Sequence, residues 1–153
     1  MNKKIMISVI TIFGIVFAAI MMKTSSDEGL TPLFNGQDLT GWRASENGDF
    51  RVENSAIVVR GNRAHLFSDR EFKNFEFKCE IMTSPGSNSG LYFHTQYEES
   101  WPSRGYEVQV NTSHGDPVKN GSLWGVVRSF DPMANDNEWF TLEVTVDGKH
   151  VVT

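Results

Sequence analysis

From about residue 50 onward, apolar residues recur at every second position in short runs, and clusters of glycine, proline, asparagine and aspartate separate those runs. Beyond the N-terminal segment, no stretch carries the three-to-four spacing of a helix stripe, so the period alone predicts an all-β domain. In residues 75–82, Phe75, Phe77, Cys79 and Ile81 fall on one face and Glu76, Lys78 and Glu80 on the other. Residues 139–146 repeat the pattern, with Phe140, Leu142, Val144 and Val146 set against Thr141, Glu143 and Thr145, before a turn at Asp147-Gly148. Asn54-Ser55 between residues 50–53 and 56–60 predicts a two-residue hairpin. Residues 112–122 read as a long polar loop, and a strand is expected at 123–127. Each such sheet has one apolar face that needs cover, which favours a sandwich over a barrel.

The chain has 153 residues, 39% of them hydrophobic, which is enough for one domain with a real core. Residues 1–23 stand apart. Lys3 and Lys4 precede an apolar run interrupted only by Ser8, Thr11 and Gly14, as in a signal peptide or an N-terminal membrane anchor. Small residues at Ala18-Ala19 or at 24–26 would accept cleavage, yet the run also reaches the lower limit of a bilayer-spanning helix, about 17 residues. Residues 24–29 read as a linker and 30–153 as the domain. Export to the periplasm or the cell surface is therefore expected, with membrane contact only through the first segment.

Lipidation would need a cysteine just after the apolar run, whereas the single cysteine, Cys79, sits on an apolar face and reads as a buried, inert thiol. A formal charge of -5 and the lack of a basic cluster after residue 4 argue against a nucleic-acid partner. Glycine-rich phosphate loops and CxxC or HExxH spacings do not occur.

Two strand-like segments concentrate the chemistry. In residues 88–94 alternation puts Tyr92 and His94 on the face opposite Leu91 and Phe93; in residues 105–111 it puts Glu107, Gln109 and Asn111 opposite Tyr106, Val108 and Val110. An outward sheet face needs polar residues, but not this density of acid, amide, imidazole and phenol. Glu107 is a candidate base or metal ligand, and His94 a candidate base, acid or ligand. Asn88 and Gln109 could bind sugar hydroxyls or a cation. A divalent metal held by Glu107, Gln109 and His94 stays open, because ligands cannot be counted from one strand. Tyr92, Tyr97, Trp101 and Trp124 are candidates for stacking on a sugar ring, with Arg104 a donor beside Trp101, while Trp42 and Trp139 suit a core. His65 and His114 are weaker candidates.

Taken in order, Leu33-Phe34-Asn35-Gly36-Gln37-Asp38-Leu39-Thr40-Gly41-Trp42, Asn88-Ser89-Gly90-Leu91-Tyr92-Phe93 and Gly105-Tyr106-Glu107-Val108-Gln109-Val110 resemble the 3-keto-disaccharide hydrolase domain family. The resemblance implies a concanavalin A-like jelly-roll sandwich, and an exported enzyme acting on 3-keto-glycosides that a separate sugar 3-oxidase produces. The chemistry implied is proton abstraction at C2, elimination of the glycosidic oxygen and hydration. Family members usually continue through further strands, so the resemblance also implies a sandwich incomplete at its C-terminal end, with an open sheet edge. His94 stands where the family pattern has arginine or another polar residue. Two other readings accompany this one: a carbohydrate-binding module without catalysis, and an ordinary glycosidase pairing Glu107 with Asp116.

Overall fold

The computed structural model describes residues 6–13, 15–19, 29–99 and 102–153, the first two segments by their backbone course. Every regular element among them is a strand. In chain order these are β1 (Met6–Phe13), β2 (Ile15–Ala19), β3 (Trp42–Ala44), β4 (Gly48–Glu53), β5 (Ala56–Gly61), β6 (Ala64–Ser68), β7 (Phe75–Thr83), β8 (Asn88–Thr95), β9 (Tyr106–Val110), β10 (Phe140–Asp147) and β11 (His150–Val152). They form two antiparallel sheets, one ordered β3-β6-β1-β8-β9 and the other β11-β10-β7-β2-β5-β4.

The sheets pack face to face as a jelly-roll-type sandwich. The first contributes Trp42, Leu66, Leu91, Phe93, Val108 and Val110 to the core, and the second contributes Ile57, Val59, Phe77, Cys79, Ile81, Leu142, Val144 and Val146. Apolar alternation causes this arrangement, since each strand sends every second side chain into the shared interior. β7 and β10 pair in the register their patterns predict, Leu142 opposite Cys79 and Val144 opposite Phe77. Asn54 and Ser55 both adopt left-handed φ, 51° and 59°, which closes the expected β4–β5 hairpin with the twist that two-residue turns need. Burial pushes the Cys79 thiol far up, in keeping with an inert core group.

Within the apolar run, β1 and β2 take part in the two sheets. β1 lies between β6 and β8, and β2 lies between β5 and β7, so both occupy interior places in their sheets. At the C-terminal end, β11 pairs with β10 and stands at the edge of its sheet, where an open edge was expected. Among the described residues no helix is long and apolar enough to cross a membrane.

Two local expectations are corrected. Residues 123–127 do not form a strand: Leu123 bridges singly to Val108 and to Val127, because Gly125, at φ 75°, turns the chain back after one pair. Trp139 is exposed rather than in the core, where its neighbour Phe140 packs instead.

Candidate functional site

The outer face of the first sheet carries the site. β8 and β9 pair with Tyr92 opposite Glu107 and Gly90 opposite Gln109, so Asn88, Gly90, Tyr92, Glu107, Gln109 and Asn111 share one face while Leu91, Val108 and Val110 point to the core. These polar side chains are buried; Glu107 is only 9% exposed. A solvated strand face would leave them open, so the density of polar groups has another cause.

Glu107 leans across the pair onto Gly90. A side chain at Gly90 would place its first carbon 2.7 Å from Glu107 Cγ, so only glycine leaves room for the carboxyl. The Tyr92 hydroxyl donates to that carboxyl, while Oε1 is buried with no hydrogen-bond partner among the described residues. Burial raises the Glu107 carboxyl from its ordinary 4.5 to about 7; the nearby Asp116 charge adds to the rise, and the Tyr92 hydrogen bond works against it. The Tyr92 hydroxyl is itself pushed well above the usual phenol range, by burial first and by the Glu107 charge second.

Beside this pair runs an oriented chain of amides. Gln109 Nε2 donates to Ser89 O at 3.2 Å and to Asn88 Oδ1 at 2.6 Å. Asn88 Nδ2 lies 3.2 Å from His114 Nδ1, which also accepts the Asp116 backbone N–H at 3.0 Å. The loop bearing His114 is fixed from below by Asn111. Its Nδ2 donates to Asp116 O (3.0 Å) and Val118 O (2.8 Å), and its Oδ1 accepts the His114 N–H (3.0 Å). Asn120 Oδ1 in turn accepts the Asn111 N–H at 2.6 Å. What composition marks as a polar loop is therefore a wired platform. The sequence pattern gives little weight to His114, Asp116 and Gly90; the clue it holds is Asn111, on the same face as Glu107.

The outer edge of β9 is covered by the segment that follows this loop. Gln109 N–H donates to Ser122 O (2.8 Å), Gly121 N–H to Gln109 O (3.0 Å) and Trp124 N–H to Glu107 O (2.9 Å). With Leu123 bridged to Val108 and packed on the core, Trp124 takes the register position beside Glu107. Trp124 is 53% exposed.

The remaining candidates sit elsewhere. His94 adopts φ 54°, which breaks the alternation; its ring packs against Phe93 and Tyr106 at centroid distances of 5.2 and 6.1 Å, with Nε2 3.3 Å from Lys73 O. It therefore does not project with Tyr92, and Glu107, Gln109 and His94 do not converge as a metal triad. Among the described residues no group of three or more histidine, cysteine, aspartate or glutamate side chains is placed to hold a metal ion. Arg104 is exposed near Glu98, and Trp101 lies outside the described residues. Tyr97 forms a separate outer-face cluster, its ring edge-on to Phe67 and under the Arg43 guanidinium at 3.4 Å.

The model of the 3-keto-alpha-glucoside-1,2-lyase-like domain matches residues 29–153. The chain belongs to this family. The match spans β3 to β11, including the whole Glu107 face, and agrees with the family suggested by the three motifs. No curated protein and no solved structure matches the chain.

Proposed function

We propose that this 3-keto-alpha-glucoside-1,2-lyase-like domain cleaves 3-keto-glycosides, with Glu107 as the base that removes the proton from C2. A ketone at C3 acidifies that hydrogen, so a carboxylate suffices where an ordinary glycoside would need oxocarbenium chemistry. Abstraction forms an enolate across C2 and C3. The enolate expels the oxygen at C1, which takes a proton from solvent, and water then adds to the resulting unsaturated ketone. The observation that carries this reading is the buried Glu107 carboxyl, raised to about 7 with one oxygen unpartnered. Such a group is ionised in a useful fraction near neutrality yet remains basic enough to take a carbon-bound proton. Tyr92 orients it, and Trp124 offers an apolar face to the sugar ring.

Gln109 has both amide hydrogens committed, so it meets a ligand only through Oε1, as an acceptor from a sugar hydroxyl. The substrate class requires an upstream oxidase that makes the C3 ketone. Export to the periplasm or cell surface belongs to the same proposal. A lectin-like module would not need a carboxyl buried at such cost.

The test is incubation of the chain with a 3-keto-glucoside and with the unoxidised parent, with and without chelator. Turnover of the ketosugar alone is expected, with kcat/KM rising through an inflection near the Glu107 value of about 7. Binding of both sugars with turnover of neither would overturn the proposal.

A further inference from the structure

The hydrogen-bond chain beside Glu107 has a fixed direction. At one end Gln109 Nε2 donates to a backbone carbonyl, Ser89 O, so the Gln109 amide cannot be reversed. Its other hydrogen goes to Asn88 Oδ1, which turns Asn88 Nδ2 toward His114. At the far end the Asp116 backbone N–H, which can only donate, meets the same His114 Nδ1. With a donor arriving from each side, Nδ1 carries no proton, and the hydrogen of the neutral ring is on Nε2.

The position of His114 gives this tautomer a use. His114 stands over the row formed by Asn88 and Asn111, while the Glu107 carboxyl lies over Gly90, one row away. Neighbouring rows on one face are about 7 Å apart. That is the span of a C2–H and its adjacent C3 carbonyl with one polar contact at each end.

We infer that His114 donates its Nε2–H to the C3 ketone oxygen of the bound ketosugar and stabilises the enolate that forms when Glu107 removes the C2 proton. The inference rests on the proposed function. Its balance is simple: the C2 proton passes to Glu107, the electron pair moves onto the C3 oxygen, and the imidazole keeps its proton while holding the negative oxygen. A neutral imidazole is a suitable electrophile for an enolate because it stabilises charge without transferring a proton.

The test uses 1,5-anhydro-3-keto-glucitol, which has the ketone and C2–H but no glycosidic bond, in deuterated solvent. Exchange at C2 then reports proton abstraction alone. His114→Asn keeps an acceptor for the Asp116 amide but has nothing at the Nε2 position, whereas His114→Gln reaches that position with an amide N–H. The exchange rate should fall by about 100-fold or more in His114→Asn and recover in part in His114→Gln. Nitrogen NMR of the imidazole should show Nε2 protonated and Nδ1 bare at neutral pH. A purely structural His114 would tolerate asparagine at least as well as glutamine, and that ranking, or an Nδ1-protonated ring, would overturn the assignment. Wild-type chain that exchanges no deuterium would sink the proposed function together with the donor role, whereas wild-type exchange unaltered in His114→Asn would sink the donor role alone.

Discussion

Glu107 should make the chain less stable as pH rises, and the size of the effect follows from its surroundings. Unfolded, the carboxyl titrates near 4.5; folded, it titrates at about 7, raised mainly by burial. The folded chain thus holds this proton longer than the unfolded chain. The carboxyl imposes little cost below about pH 4.5, the cost grows as pH climbs toward 7, and above that it is constant. At about 1.4 kcal/mol per pH unit, the gap between 4.5 and about 7 amounts to about 3 kcal/mol at the alkaline plateau. Glu107→Gln removes the titration while preserving shape and an acceptor for Tyr92. Urea unfolding of both proteins at about pH 5 and about pH 8 should show wild type losing about 2–3 kcal/mol relative to the variant between those conditions. Other titrating groups cancel in that comparison. Parallel stability curves for the two proteins would refute the claim that this carboxyl is held at an electrostatic cost, and with it the basis for its role as a base.

Other outcomes follow from the same geometry. Gly90→Ala should displace the Glu107 carboxyl and lower kcat on a 3-keto-glucoside by about 100-fold; unaltered kcat would mean the carboxyl position is unimportant. Trp124→Ala should weaken ketosugar binding by about 3- to 10-fold, seen in KM or by calorimetry, and shift the unfolding midpoint little because the ring is half exposed. Asn111→Ala strips partners from Asp116 O, Val118 O and the His114 N–H, so denaturant unfolding should show a loss on the order of 3 kcal/mol. Gly105→Ala forces a side chain against Phe93 O, 2.7 Å away, at φ 117°, and should cost about 1–3 kcal/mol by the same measurement.

Period-two patterning was enough to place β4, β5, β7 and β10, because each has one face in a common core and register follows from that face. It also placed Glu107 and Gln109 together, since same-face residues on one strand need no long-range information. It failed at His94, where a left-handed backbone angle rotates the side chain out of sequence with Tyr92; the close approach of Gly105 to Phe93 O accompanies that departure. Residues 112–122 are the loop that their composition marks, but the side-chain bonds that order it do not show in the pattern. Asn111 and Asp116 illustrate the difficulty, for nothing in the local pattern states which carbonyl a buried amide will find. Gly90 was invisible for a related reason: the residue that needs its missing side chain is on the neighbouring strand.

The cover over β9 has a dynamic consequence. Gly121, Ser122 and Trp124 satisfy the backbone of Gln109 and Glu107, and Trp124 is also the residue proposed to face the sugar ring. Protection of the strand edge and capture of the ring are therefore one cooperative unit, whose opening would bare the edge amides and dismantle the sugar wall together. Amide exchange of Gln109, Gly121 and Trp124 should accordingly slow in concert when ketosugar binds, with the binding energy appearing as added protection of a strand that the ligand meets only at its side chains.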